Sequence, residues 1–73
     1  MKKIPIKTEY ITLGQLLKLI NIIQSGGEAK MYLLMNDVYV NDEKENRRGR
    51  KIYPNDLVKI DSQEYMIINH EAR

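Results

Sequence analysis

The hydrophobic period changes twice along this chain, and each change marks a boundary between kinds of secondary structure. Residues 3–11 alternate, with Ile4, Ile6, Thr8 and Tyr10 on one side and Lys3, Pro5, Lys7 and Glu9 on the other. A period of two predicts a half-buried strand. Pro5 has no N–H to give to a ladder, which puts this strand at a sheet edge. Leu13, Leu16, Leu17 and Ile20 then recur at i, i+3, i+4 and i+7, and Ile23 continues the stripe, the pattern of an amphipathic helix. Thr12 and Gln15 stand three apart at its start as a capping box. A second such pair, Ser25 and Glu28, predicts a shorter helix with Ala29, Tyr32 and Leu33 on its apolar side, ended by Asn36 in a left-handed conformation. With only about Gln24 between them, the two helices have to turn sharply against each other. From residue 37 the period is two again. Val38 and Val40 flank Tyr39, Asn41-Asp42 and Pro54-Asn55-Asp56 are turn sequences, and a polar loop runs from Glu43 to Lys51 before Ile52 and Tyr53. Leu57, Val58 and Ile60 predict a strand that Asp61-Ser62-Gln63 turns into a last one, Tyr65 to Ile68. The order strand, helix, helix, three strands is that of a small α+β domain spanning residues 1–73.

Size and composition narrow the chemistry. A 73-residue chain buries about 60% of the surface it exposes when unfolded, so its core is thin. No second domain or deep enclosed pocket is expected. With no cysteine there is no disulfide scaffold, thiol nucleophile or Cys-ligated zinc, and the single histidine, His70, rules out a His-based metal site or a Ser-His-Asp triad. No apolar run is long enough to cross a membrane and no signal segment follows Lys2 and Lys3. The expectation is a soluble, cytoplasmic monomer with no cofactor and no small-molecule substrate.

The formal net charge of +2 conceals an uneven distribution. Residues 44–51 carry Lys44, Arg47, Arg48, Arg50 and Lys51 against Glu45, a net of +4, while residues 61–73 carry Asp61, Glu64 and Glu71 against Arg73. Arginine forks donate paired hydrogen bonds to phosphate oxygens and stack on bases, so the 47–51 run is a candidate nucleic-acid contact, or else a solvated loop kept soluble by its charge. Gly49 within it permits a close backbone approach or a positive φ. Ser25-Gly26-Gly27 opens a helix at a cost in helix propensity. Either a tight corner demands residues without bulk, or the bare backbone receives an anion. Lys18 and Lys30 could add positive charge beside that corner. Tyr39 and Tyr53 flank the basic loop, where a ring could stack on an unpaired base, although core or cross-strand packing is the usual role of such tyrosines and the reading favoured for both. Tyr32 belongs to the core, and His70, Asp37, Asp42 and Asp56 have no chemical role beyond local structure.

Taken in order, Ser25-Gly-Gly-Glu-Ala-Lys, Val38-Tyr-Val-Asn-Asp, Arg47-Arg-Gly-Arg-Lys and Tyr53-Pro-Asn-Asp-Leu-Val resemble the S4-like RNA-binding domain, or alpha-L motif, over about residues 8–60. Within that family the chain is most similar to the stand-alone bacterial proteins of the YaaA type. The resemblance implies an alpha-L fold, with a two-helix corner packed on a small, mainly antiparallel sheet of short strands. It also implies RNA binding by the corner (Ser25, Gly26, Gly27, Lys30, with Lys18 beside it) and by the basic loop (Arg47, Arg48, Arg50, Lys51). For stand-alone members the implied RNA is ribosomal and the implied role is maturation of the large subunit. This chain departs from the family where it has Gly26 in place of a cation after the serine, and where Asp42 and Asn55 replace turn glycines. Asn and Asp tolerate left-handed backbone, so both turns are expected to persist.

A non-catalytic RNA-binding module is the leading reading. A protein-interaction adaptor that sets the basic loop on an acidic partner is the alternative. DNA reading by a helix-turn-helix is disfavoured because Met31, Leu33, Leu34 and Met35 are not the polar fan that reads base edges. Glutamate at Arg47, Arg48, Arg50 and Lys51 together is expected to abolish RNA binding and spare the fold.

Overall fold

The computed structural model describes residues 1–70; Glu71 and Arg73, part of the acidic C-terminal segment, lie outside them. Strands β1 (Lys2–Ile6) and β2 (Ile11–Thr12) precede helices α1 (Leu13–Leu19) and α2 (Gly27–Met35). Strands β3 (Val38–Val40), β4 (Glu43–Lys44), β5 (Lys51–Ile52), β6 (Leu57–Ile60) and β7 (Gln63–Asn69) follow. The main sheet has the order β1-β7-β6-β3-β4, and β2 and β5 form a separate two-stranded ladder. Pairing is antiparallel throughout except between β1 and β7. The result is an α+β fold with two helices on a mainly antiparallel sheet of short strands.

Alternation fills one core. Val38, Val40, Val58, Ile60 and Ile67 from the sheet are buried with Leu13, Leu16 and Leu17 of α1 and Ala29 and Leu33 of α2. Tyr32 packs against this cluster and is partly buried. Pro5 does stand on an edge strand, paired on one side to β7. The turns form with their expected residues. Asn41 (φ 51°) and Asp42 (φ 70°) join β3 to β4, and Asp61 (φ 50°) and Ser62 (φ 70°) join β6 to β7. Two successive positive φ values make type I′ hairpins, whose twist matches that of the strands. Asn55 has φ 80° after Pro54, and the Asp56 N–H donates to the Tyr53 carbonyl at 3.0 Å, a type II turn.

Four local expectations need correction. The period-two run 3–11 is two strands, because the chain bends after Ile6 and β2 leaves the main sheet to pair with β5. α1 ends at Leu19, well short of Ile23. Asn21 takes φ 65°, the Ile22 N–H donates to the Leu17 carbonyl at 2.9 Å, and the Asn21 N–H donates to the Lys18 carbonyl at 3.1 Å. That is a Schellman motif with asparagine in the left-handed position. Asn21, not Asn36, is therefore the left-handed helix end; Asn36 is extended (φ −133°, ψ 152°). Its amide closes α2 instead, with both its backbone N–H and its Nδ2 donating to the Tyr32 carbonyl. The connection between the helices consequently spans residues 20–26, and Ile23 reaches the core from this loop rather than from a helix.

Candidate nucleic-acid interface

The start of α1 and the basic loop are built as one unit. The Thr12–Gln15 capping box is complete: the Gln15 N–H donates to Thr12 Oγ1 at 3.2 Å and the Thr12 N–H to Gln15 Oε1 at 2.8 Å. The next two N–H groups of the first turn reach across to the loop. Leu13 donates to the Arg50 carbonyl at 2.8 Å and Gly14 to the Arg48 carbonyl at 2.9 Å. Helix N-termini leave donors without intrahelical partners, and here the loop backbone supplies acceptors for them. Gly14 lies close against the loop, where a Cβ would stand in van der Waals contact, 3.4 Å from the Arg48 carbonyl oxygen and 3.5 Å from the Ala29 Cβ, leaving little room for a larger side chain. Sequence reasoning missed Gly14. A glycine in the first turn of a well-capped helix was the available signal.

The loop is not a row of free cations. Glu45 is 7% exposed and its carboxylate holds two arginines. Arg47 donates through Nε at 2.8 Å to one oxygen and through Nη2 at 3.0 Å to the other, and Arg50 Nη1 donates at 2.8 Å. The Arg47 backbone N–H adds a bond at 3.1 Å. The Arg47 guanidinium holds the Glu45 carboxyl well below the usual carboxylate range, at about 2; burial opposes this, and Arg50 and the Arg47 backbone reinforce it. Lys44 pairs at 3.0 Å with exposed Asp37. Lys51 lies with Nζ 4.9 Å from the centroid of the Tyr10 ring, and the Tyr10 and Tyr53 centroids are 5.5 Å apart. Among the described residues neither Arg48 nor Lys51 makes an ion pair, and of the two Lys51 is placed over an aromatic ring.

Arg48 faces a cleft of about 350 Å³ lined by Thr12, Gly14, Gln15, Lys18, Gly26, Ala29, Arg48 and Gly49. Of the residues expected to act together, Lys18, Gly26 and Arg48 meet here. Ser25, Gly27 and Lys30 are exposed neighbours of this cleft along the chain but do not line it, while Arg47 and Arg50 are drawn to Glu45 and Lys51 to Tyr10. The fork of Arg47 remains open on its outer side, being 72% exposed.

Two readings of the glycines change. No glycine has positive φ, so Gly49 does not serve a left-handed turn. A Cβ at Gly26 would meet nothing within 4 Å, and one at Gly27 only the Ser25 hydroxyl at 4.0 Å, so bulk is not what the corner excludes. Nor does Ser25 cap α2. Gly26 is the N-cap and receives no side-chain bond; instead Glu28 accepts from the Ser25 hydroxyl and the Gln24 N–H, both at 3.3 Å. The corner is open over its backbone, beside a cleft that carries Lys18 and Arg48.

Comparison with known proteins identifies the family. The family model described as the S4 domain matches residues 4–68. The chain is also 60% identical over 58 residues to the Bacillus subtilis (strain 168) protein named probable ribosome maturation protein RlbA, an alignment that covers 80% of this chain and 82% of that protein. With two helices on a mainly antiparallel sheet and a family match over nearly its whole length, the chain belongs to the S4 domain family.

Proposed function

We propose that residues 1–73 form a single non-catalytic RNA-binding module that contacts ribosomal RNA and acts, as a cytoplasmic monomer, in maturation of the large ribosomal subunit. Membership in the S4 domain family and a relative named for ribosome maturation support this reading. The observation that carries it is the Lys18–Arg48 cleft. Two cations without acid partners face one concavity, whose far wall is the uncapped start of α2. Phosphate oxygens would dock on Arg48 and Lys18, with backbone N–H groups near Gly26 within approach because no side chain shields them. Arg47, Arg50 and Lys51 contribute from the rim, and Lys30, Ser25 and Gly27 from the helix side. Such a surface reads shape and backbone more than base sequence. No helix among the described residues is long and apolar enough to cross a membrane, and no cluster of potential metal ligands occurs among them.

The structure changes how this reading should be tested. Glutamates at Arg47 and Arg50 would face the buried Glu45 carboxylate and dismantle the loop, so that quadruple replacement confounds folding with binding. Lys18→Glu with Arg48→Glu removes the cleft cations and leaves the Glu45 cluster in place. Affinity of the wild type for ribosomal RNA is expected to fall steeply with salt, with roughly three to five phosphates engaged. The double variant is expected to lose co-sedimentation with ribosomal particles at unchanged thermal stability. Undiminished co-sedimentation would remove the cleft from the RNA surface.

A further inference from the structure

We infer that Tyr53, backed by Tyr10, is a stacking platform for one unpaired nucleotide at the edge of the RNA face; this rests on the RNA-binding reading above. Tyr10 and Tyr53 flank the β2–β5 ladder, whose register pairs Ile11 with Ile52. Their rings stand 5.5 Å apart at 46°. The ladder and the turn fix this pair, since the Tyr53 N–H donates to Asp56 Oδ2 at 2.8 Å. Ile52 beside it is fully buried, yet Tyr53 is 42% exposed, so core packing does not claim the whole ring. Lys51 sits over Tyr10, placing a cation within reach of the phosphate that follows a stacked base. Tyr10 also lines a cleft of about 490 Å³ that shares Thr12 and Gln15 with the Lys18–Arg48 cleft, so the two concavities border the same residues at the start of α1. Glu9 borders the Tyr10 cleft. Its carboxylate repels a phosphate there, while a neutral base face is accepted by the rings. A chain docked by its phosphates on Lys18 and Arg48 can therefore run past Gln15 and set one splayed base on Tyr53.

The test compares a short RNA hairpin carrying one bulged 2-aminopurine with the same hairpin in which that residue is paired. The wild type is expected to bind the bulged hairpin more tightly and to quench its fluorescence. Tyr53→Ala is expected to lose roughly tenfold in affinity for the bulged hairpin only, and Tyr53→Phe to retain both affinity and quenching. If Tyr53→Ala binds and quenches as the wild type does, or loses affinity equally for both hairpins, the platform is overturned and the RNA-binding reading stands. If the wild type binds neither hairpin, that reading falls and the platform falls with it.

Discussion

At the start of α1 the N–H groups of Leu13, Gly14 and Gln15 all have partners, two of them carbonyl groups of a loop more than thirty residues away and one the Thr12 hydroxyl. At the start of α2, Gly26 receives no side-chain cap and a Cβ built on it would meet nothing within 4 Å. Both beginnings look alike on paper, a hydroxyl residue followed by one or two glycines and a Gln or Glu. One is a joint and the other is an open end. The joint holds Arg48 in place, and the open end borders the cleft that Arg48 faces, so the contrast divides labour between anchoring the site and exposing it.

The largest break in this comparison should come from the anchor. Glu45→Ala removes the carboxylate that ties Arg47 and Arg50, and is expected to cost about 2–3 kcal/mol in chemical denaturation. The same cluster has a pH signature. Its stabilisation is fully present above the ordinary carboxyl value of 4.5 and is lost as pH falls toward about 2. Across that window the wild type should lose stability more steeply than Glu45→Gln. A smaller effect, roughly 1–2 kcal/mol, is expected for Gly14→Val, whose methyl groups would press on the Arg48 carbonyl and the Ala29 side chain. This variant should also weaken RNA binding, because the loop carrying Arg48 is displaced. The smallest effect has the opposite sign. Gly26→Ala adds a methyl into empty space at φ −61° and should stabilise by roughly 0.4–1 kcal/mol while lowering RNA affinity. A fall in stability there would mean that the corner is sterically closed after all.

Much of the fold was legible in the sequence. Both period changes mark real boundaries, the Thr12–Gln15 box forms, Pro5 lies on an edge strand, all three turn sequences form, and Asn41-Asp42 and Asn55 are left-handed where expected. What was not legible depends on distance along the chain or on very short elements. The parallel pairing of β1 with β7 joins the two ends of the described chain, and no local pattern encodes a partner. The β2 and β5 strands have two residues each, too few to show a period. Asn21 was hidden inside an apolar stripe that continues past it, because Ile23 returns to the core from a loop. At the site, the cluster of basic residues was visible but its internal neutralisation was not. Glu45 lies two and five residues from its arginines in irregular backbone, so no helical or strand spacing announces the contact. The glycines misled for a related reason. This chain assigns left-handed backbone to Asn21, Asn41, Asp42, Asn55, Asp61 and Ser62, leaving its glycines to other tasks: close approach at Gly14 and open backbone at Gly26.

The most direct test of the open corner as the RNA-facing surface is an amide chemical-shift titration of the full chain with ribosomal RNA fragments. Gly26 and Gly27 give signals in a distinctive region, and the account predicts that they shift first, together with Lys18 and Arg48. The exposed apolar side of α2 at Met31, Leu34 and Met35 should remain still. Shifts centred on Met31, Leu34 and Met35, with Gly26 and Arg48 unmoved, would contradict it.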